Sequence, residues 1–510
     1  MLFPLTFEQS VARTPDRSAV VHLNDDTELT YSELQSRAYR VANALRDRGL
    51  ESGDRVAICM ANSPEHVVAF VATQLAGVVA VPFNFRVAAS GVRYHVEDSD
   101  PELLLFDELS RDAVTAIAEE IDVPMVHAGA DTPEFAESFG EFADAPAVDP
   151  DVEVDYRDPS VMLYSSGTTG DPKGIPLDHE ATASRWLINA LGQHYYLDEN
   201  MLGVMPLYHT VGLHGILCGL LSMSGTYLCM SDFDPDLAVR GIEEYEVSAL
   251  HEAPTIFASL LDSDAIDEVD VSSVQTIGYS GAPMSQSVFD RTMEAFDPDH
   301  IANLYGTTEA YGTLAHVELH DINDPTVSGP ANVGMTTRIV DFDSEGPEDT
   351  VETGTQGELI VKTNSPVTFN GYWNKPKATE KRIHDGWFFT GDAARRTEEN
   401  RIIITGRVDD MIISGGENIY PSEVEDVLLT HPDVADAGVV GHPNEKWGEM
   451  VVAFVERSDS VTEAELDEWC RDSDELADYK RPRQYHFVDG LPRNPSGKIE
   501  RYKLESRTEE

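Results

Sequence analysis

The sequence predicts an α/β fold: a large N-terminal domain of α/β subdomains closed by a β-rich subdomain, then a small C-terminal α+β domain. Three observations carry that expectation. The chain has 510 residues, too many for one ordinary core, and a hydrophobic fraction of 41% suits globular domains. Strand-like apolar runs alternate with helical stretches through the first two thirds of the chain. Beyond that point the texture changes twice.

Taken in order, "GDRVAICMANSPEHVVAFVATQLAGVVAVPFN" reads as strand, helix, strand. Val56 to Cys59 is apolar, Ser63 and Pro64 suit a helix start, and Val78 to Val81 resumes a sheet, which makes a βαβ unit. The alternation recurs at "VMLYSSGTTG…ASRWLINALG", at "SGTYLCM" and at "VQTIGYSGAPMSQSVFDRTMEAF", favouring mostly parallel strands. After residue 330 the short strands "GELIVKT" and "RIIITG" are separated by Gly, Asn and Asp turns. From Met411 the α/β texture returns on a smaller scale, with Pro421 opening a helix that shows Val424, Val427 and Leu428 on one face. The expected division is 1–405, a junction at 406–410, and 411–510.

Charge narrows the function classes. Against 36 Lys+Arg stand 92 Asp+Glu, a net charge of −56, with only nine lysines, the first at Lys173. Acids are spread along the whole sequence, so this is no acidic tail; self-repulsion of that size is screened by concentrated salt, which points to a halophile's cytosol. Nucleic acid and anionic membrane are poor partners for such a surface. The N-terminus lacks the basic and apolar regions of a signal peptide, and no run of about 20 apolar residues predicts membrane insertion. Cys59, Cys218, Cys229 and Cys470 fall at no metal-ligand spacing and read as buried thiols.

One motif carries chemistry on its face. "YSSGTTGDPKG", Tyr164 to Gly174, follows an apolar strand and precedes a helical stretch, and its glycines, hydroxyls and single lysine offer what a polyphosphate needs. It is not a Walker A loop, since the GxxxxGK[ST] order is absent. Together with "NLYGTTEA" at 303–310, "WFFTGD" at 387–392, "GRVDDMIISGGENIYPSEVE" at 406–425 and "NPSGKIER" at 494–501, it resembles the adenylate-forming superfamily of acyl- and aryl-CoA synthetases, adenylation domains and luciferases. Motif order and spacing match over essentially the whole chain.

The resemblance implies a two-step reaction using ATP, Mg²⁺ and coenzyme A: a carboxylic acid becomes an acyl-adenylate with release of pyrophosphate, and a thiol then displaces AMP. It implies nucleotide contacts at Ser165, Ser166, Gly167, Thr168, Thr169, Gly170 and Lys173, at Gly281, Ala282 and Pro283, at Asn303, Tyr305, Gly306, Thr307 and Thr308, and at Asp392, Ile404 and Arg407. Glu309 would hold the metal through hard carboxylate oxygens, and Asp392, an acceptor-only group, would take the ribose hydroxyls. Lys498, a compact charge on a flexible stem, would meet the charge that develops at the α-phosphate, with Thr169 and His209 as further catalytic positions. Asp409 matches the hinge on which a mobile C-terminal domain turns in members of this superfamily.

Further stretches resemble the aryl-CoA ligases typified by 4-chlorobenzoate:CoA ligase. That likeness implies an acyl pocket of Ile188, His209, Thr210, Val211, His251, Ser280, Leu304, Gly306 and Tyr311. Four of these put polar atoms where a chlorobenzoate pocket is largely apolar, and unpaired donors would cost about 1 to 3 kcal/mol each. A benzoate-like or short polar-substituted acid is therefore expected. The same likeness implies CoA contacts at Arg86, Gly415, Gly416, Trp447, Tyr479, Arg481 and Arg483, in a monomer or homodimer. Alternatives are a fatty acyl-CoA synthetase, a stand-alone adenylation protein loading a carrier, and a nucleotide-binding pseudoenzyme. Asp178, where many members of the superfamily have a small hydroxyl residue, has no role at this stage.

Overall fold

In "NSPEHVVAFVATQLAG" the helix is written at both ends, and the computed structural model of the protein places it there. Ser63 Oγ accepts from the His66 amide at 3.2 Å, Pro64 stands at the first turn, and Gly77 ends the helix at φ +70°. The helix spans Pro64–Ala76 between parallel strands Arg55–Cys59 and Val79–Pro82, the expected βαβ unit. Every residue of it except Glu65 is buried, which accounts for its unbroken apolar run. The structure describes residues 2–165, 171–314, 324–444, 446–457, 461–473, 476–493 and 499–509.

Two compact units emerge: Met1–Thr336 with Lys362–Gly386, and Thr337–Val361 with Trp387–Glu510. The first holds two seven-stranded sheets of like design, each parallel until an antiparallel edge. One runs His300–Leu304, Thr276–Ser280, Ala249–Glu252, Asn200–Gly203, Thr226–Cys229, Ser18–His22 and Thr27–Thr30, with only the last pair antiparallel. The other runs Glu137–Ser138, Met125–Ala128, Leu103–Asp107, Arg55–Cys59, Val79–Pro82, Pro159–Tyr164 and Gly174–Asp178, again closing on one antiparallel pair.

In the second unit, strands Thr337–Val340, Gln356–Lys362, Trp387–Arg396 and Ile402–Arg407 follow one another across a sheet. A second sheet carries the hairpin Val434–Asn444 with Gly448–Arg457, to which Gln484–Val488 adds in parallel. The helix Pro421–Leu429 buries Val424, Val427 and Leu428, as the periodicity predicts.

The compact division differs from the boundary read at 406–410. The β-rich stretch groups with the C-terminal residues because its side chains meet theirs: Ser422 Oγ donates to Thr405 O at 2.7 Å, and the Phe342 and Tyr420 rings lie 6.4 Å apart. All four cysteines are free and buried. Among the described residues no helix is long and apolar enough to cross a membrane, and no cluster of His, Cys, Asp or Glu could by itself cage a metal.

Candidate active site

The glycine-rich motif begins where strand Pro159–Tyr164 ends, and both sides of it are pinned. Ser165 N donates to Lys173 O at 3.0 Å and Lys173 N to Ser165 Oγ at 3.3 Å. Sequence read a helical stretch, ATASRWLINAL, beyond the motif and no strand before it. The structure inserts strand Gly174–Asp178 before that helix, antiparallel to Pro159–Tyr164, so the motif connects two paired strands at a sheet edge. The helix begins at His179, and Asp178 caps it, accepting from Ala181 N at 2.8 Å. A small hydroxyl could cap equally well, which gives Asp178 the role it lacked. Ser166, Gly167, Thr168, Thr169 and Gly170 lie outside the described residues, as does Lys498.

The segment Tyr305–Glu309 leaves strand His300–Leu304 in a turn closed by Thr307, whose N donates to Ala310 O and whose Oγ1 accepts from Ala310 N. Glu309 Oε1 accepts from the Tyr372 hydroxyl at 2.8 Å, and the Lys173 ammonium lies 5.9 Å from the centre of the same Tyr372 ring. The structure thus brings Lys173 and Glu309 to one aromatic residue that sequence reasoning missed. A divalent cation fits here: Glu309 is half-buried, its second carboxylate oxygen is a hard donor, and a metal would neutralise polyphosphate beside it. Asn303 spends both amide protons, on Pro325 O at 3.0 Å and Ser328 Oγ at 3.2 Å, leaving only its carbonyl oxygen for a ligand. Gly281, at φ +88°, carries the chain out of strand Thr276–Ser280 into Ala282 and Pro283.

The residues expected to surround the acyl group come from four places. Helix His179–Gly192 supplies Ile188, a π-helical segment Val211–Cys218 follows Thr210, and three neighbouring strands supply His251, Ser280 and Leu304. Gly306 has backbone on its side-chain face, where a Cβ would sit 2.6 Å from Gly312 N. His209 lies just ahead of the π-helical segment, its ring centre 4.6 Å from that of Tyr208 and its carbonyl accepting from Leu213 N. π-helical turns are rare and occur frequently at functional sites.

The polar atoms of that group are not starved of partners. Gln193 Nε2 donates to His251 Nδ1 at 2.8 Å, which fixes the proton on Nε2, and this in turn donates to Ser280 Oγ at 3.1 Å. Burial pushes His251 down to about 3, so the ring is neutral and the direction of the chain holds. Tyr311 Oη donates to Asn189 Oδ1 at 2.8 Å, and Thr210 Oγ1 accepts from Arg185 Nη1 at 3.2 Å. The expectation of four unpaired groups is therefore corrected: three are satisfied by neighbours, and what remains is the proton of the Ser280 hydroxyl. Gln193 packs so closely on strand Thr276–Ser280 that a Cβ at Gly278 would lie 1.8 Å from its Oε1.

Arg185 is a second residue that the sequence did not reveal. It is fully buried, and its guanidinium donates to Val367 O at 2.9 Å, Thr308 O at 2.9 Å and Thr210 Oγ1. No carboxylate accepts from it among the described residues. Burial lowers it to about 9, so it keeps its charge at neutral pH.

In the second unit, Asp392 and Arg407 stand opposite each other on paired strands and Arg407 Nη1 donates to Asp392 Oδ1 at 2.8 Å, while Ile404 lies across from Ala394. Asp409, exposed, follows directly. Gly415 and Gly416 have φ +65° and +89°, and Gly415 meets Trp447, whose carbonyl accepts from Gly415 N at 2.7 Å; Arg483 lies 5.8 Å from the Trp447 ring. Arg481 is engaged by Asp467 and Asp478, so its charge is already balanced, and Tyr479 is exposed. In the first unit Arg86 is exposed and lies over the Phe85 ring. The turn expected to carry Lys498 is closed at its base by an Arg493–Ile499 bridge, and beyond it Arg501 donates to both oxygens of Glu425, at 2.6 and 3.0 Å.

Two family models match the chain: "AMP-binding enzyme" over residues 7–373 and "AMP-binding enzyme C-terminal domain" over 423–498. The chain belongs to the AMP-binding enzymes. Within that family it is 34% identical over 504 residues to a 4-chlorobenzoate–CoA ligase of Arthrobacter, covering 97% of this chain and 93% of that one. It is 32% identical to the long-chain-fatty-acid–CoA ligase FadD13 of Mycobacterium tuberculosis, covering 96% and 95%. Its fold superposes on o-succinylbenzoate coenzyme A synthetase of Bacillus subtilis in complex with ATP and magnesium, with a TM-score of 0.85, 28% identity and 98% coverage of both chains. As an AMP-binding enzyme it is an ATP-dependent acyl/aryl-CoA ligase, with ATP and CoA as its co-substrates.

Proposed function

We propose that this ligase activates a compact, flat carboxylic acid, benzoate-like in size and bearing a hydrogen-bond acceptor, in preference to a long alkyl chain. The observation that carries the reading is the chain Gln193–His251–Ser280, which ends in one hydroxyl proton with an acceptor still to find. Its neighbours leave little depth: Gln193 lies against Gly278 beside Leu304, and Tyr311 Oη lies where a side chain at Gly215 would sit. The named relatives act on both aryl and alkyl acids, so the family alone does not choose.

In the first step the substrate carboxylate attacks the α-phosphorus and pyrophosphate leaves. Lys173 and the hairpin loop would hold the polyphosphate, Glu309 the Mg²⁺, and Asp392 with Arg407 the ribose. Magnesium, when bound, neutralises charge on the leaving pyrophosphate. Lys498 would offer its ammonium where negative charge develops, a contribution of about 2.7 to 4 kcal/mol for donors of this kind. In the second step the CoA thiol attacks the acyl carbonyl and AMP leaves, with Gly415 and Gly416 giving a thin pantetheine arm close passage and Trp447 a face for the adenine. We place the hinge between the two arrangements at 406–410, on Asp409.

The test is a panel of benzoate, hydroxybenzoates and hexadecanoate with ATP, Mg²⁺ and CoA, reading AMP release and thioester mass. Faster turnover of hexadecanoate would remove the substrate reading, and AMP without thioester would remove the CoA assignment. Lys498→Ala should slow adenylate formation by roughly 10² to 10³ and largely spare thioester formation from synthetic adenylate. We read the net charge of −56 as adaptation to a salt-rich cytosol. Melting temperature should then rise between low and molar KCl, and a flat profile would remove that reading.

A further inference from the structure

Helix Ala89–Ser99 belongs to none of the motifs above, yet it holds both ends of the glycine-rich hairpin. Tyr94 and Asp98 are four residues apart and so share one helical face. The Tyr94 hydroxyl donates to Pro172 O, on the outgoing side of the loop, and Asp98 Oδ2 accepts from the Tyr164 hydroxyl at 3.0 Å, on the incoming side. Asp98 Oδ1 takes the Lys375 ammonium, and the Asp98 carbonyl takes the Trp373 indole N–H at 3.1 Å. Asp98 is about one tenth exposed and Lys375 about a quarter, so solvent screens the pair only in part.

Residues 372–375 then reach both halves of the site. Trp373 N donates to Gly174 O at 2.8 Å, at the end of the hairpin loop, while Tyr372 next to it donates to Glu309. One short stretch therefore fastens the loop and the metal-holding carboxylate to the same aspartate.

We propose that Asp98 and Lys375 form a charged latch that positions the glycine-rich hairpin and the Tyr372–Glu309 pair as one piece to receive Mg-ATP. The inference rests on the assignment of that hairpin to the polyphosphate. Both are positioning residues: they act through Tyr164, Trp373 and Tyr372. The latch predicts that removing either partner costs the same thing, because each alone leaves the stretch 372–375 unfastened.

The experiment uses full-length Asp98→Asn, Lys375→Gln, the double variant and Lys375→Arg, each in molar KCl. Read out are the Kd for Mg-ATP by calorimetry, the KM for ATP in pyrophosphate exchange, and thioester formation from synthetic adenylate and CoA. Each single neutral variant should weaken Mg-ATP about tenfold, the double variant no more than either single, and Lys375→Arg should stay near wild type. Thioester formation from adenylate should change less than twofold. Additive losses, about a hundredfold in the double variant, would overturn the latch, and so would an unchanged Kd. Equal losses in both half-reactions with a lowered melting temperature would show a merely structural pair. Wild-type protein that binds Mg-ATP but exchanges no pyrophosphate would instead sink the assigned reaction, leaving the Kd comparison to judge the latch.

Discussion

Arg185 in the first unit and Arg501 in the second are both largely withdrawn from water, and the two guanidinium groups are solvated in opposite ways. Arg501 is closed by carboxylates: both oxygens of Glu425, with Asp410 at 3.4 Å. Arg185 is closed by two carbonyls and a hydroxyl, with no carboxylate among the described residues at hydrogen-bonding distance. A buried charge without a counter-ion is expensive unless something negative arrives to meet it. Arg501 is thus spent on holding its own unit together. Arg185 keeps a positive potential beneath Thr308 and Thr210, which we propose face the nucleotide and the acyl group.

Deleting each charge should separate these roles. The largest effect is expected for Arg501→Met, which strands a buried carboxylate and should cost roughly 3 kcal/mol of folding stability, read from urea unfolding. Arg185→Met should unfold the protein less, since it removes an uncompensated charge and leaves carbonyls behind at about 1 kcal/mol each. Its adenylation rate should nevertheless fall on the order of 10²-fold in pyrophosphate exchange. If Arg185→Met lost stability as Arg501→Met does and kept its exchange rate, the contrast would fail.

A smaller, pH-dependent contrast lies within the first unit. His251 titrates at about 3 in the fold against 6.5 ordinarily, because burial disfavours its charged form. Its contribution is whole above pH 6.5 and is lost as pH falls from there toward 3, where only the unfolded chain gains the proton. Glu252, raised to about 8 by burial, runs the other way: stability is whole below about 4.5 and is lost as pH rises toward 8. Glu252→Gln should flatten the alkaline side of the stability profile and His251→Asn should ease the acid side, which His66 and His179, both lowered to about 4, share. Urea midpoints between pH 4 and 9 measure both slopes.

Local punctuation made part of this legible in the chain. Ser63 and Pro64 mark a helix start that the structure repeats to the residue, and the strand read from Val78 to Val81 lies at Val79–Pro82. Strand Gly174–Asp178 was missed because Pro176 reads as a strand breaker; it is tolerated there because the strand is the edge of its sheet. The motif residues Lys173 and Glu309 could be named from sequence, but Tyr372, which touches both, is remote from each in the chain. Asp98 and Lys375 are 277 residues apart, and no pattern along the chain marks them as partners. Arg185 was hidden for another reason: an arginine on an amphipathic helix ordinarily reads as a solvated one.

Gln193, His251 and Ser280 form one hydrogen-bonded unit spread over a helix end and two strands. Changing Ser280 alone to alanine would strand the imidazole N–H in a dry interior, and changing His251 alone would strand the carboxamide. A lineage moving from one acid to another therefore cannot drift through these positions singly at low cost. Across related ligases the three sites should covary, switching together between a polar and an apolar set, and intermediates with one member exchanged should be rare.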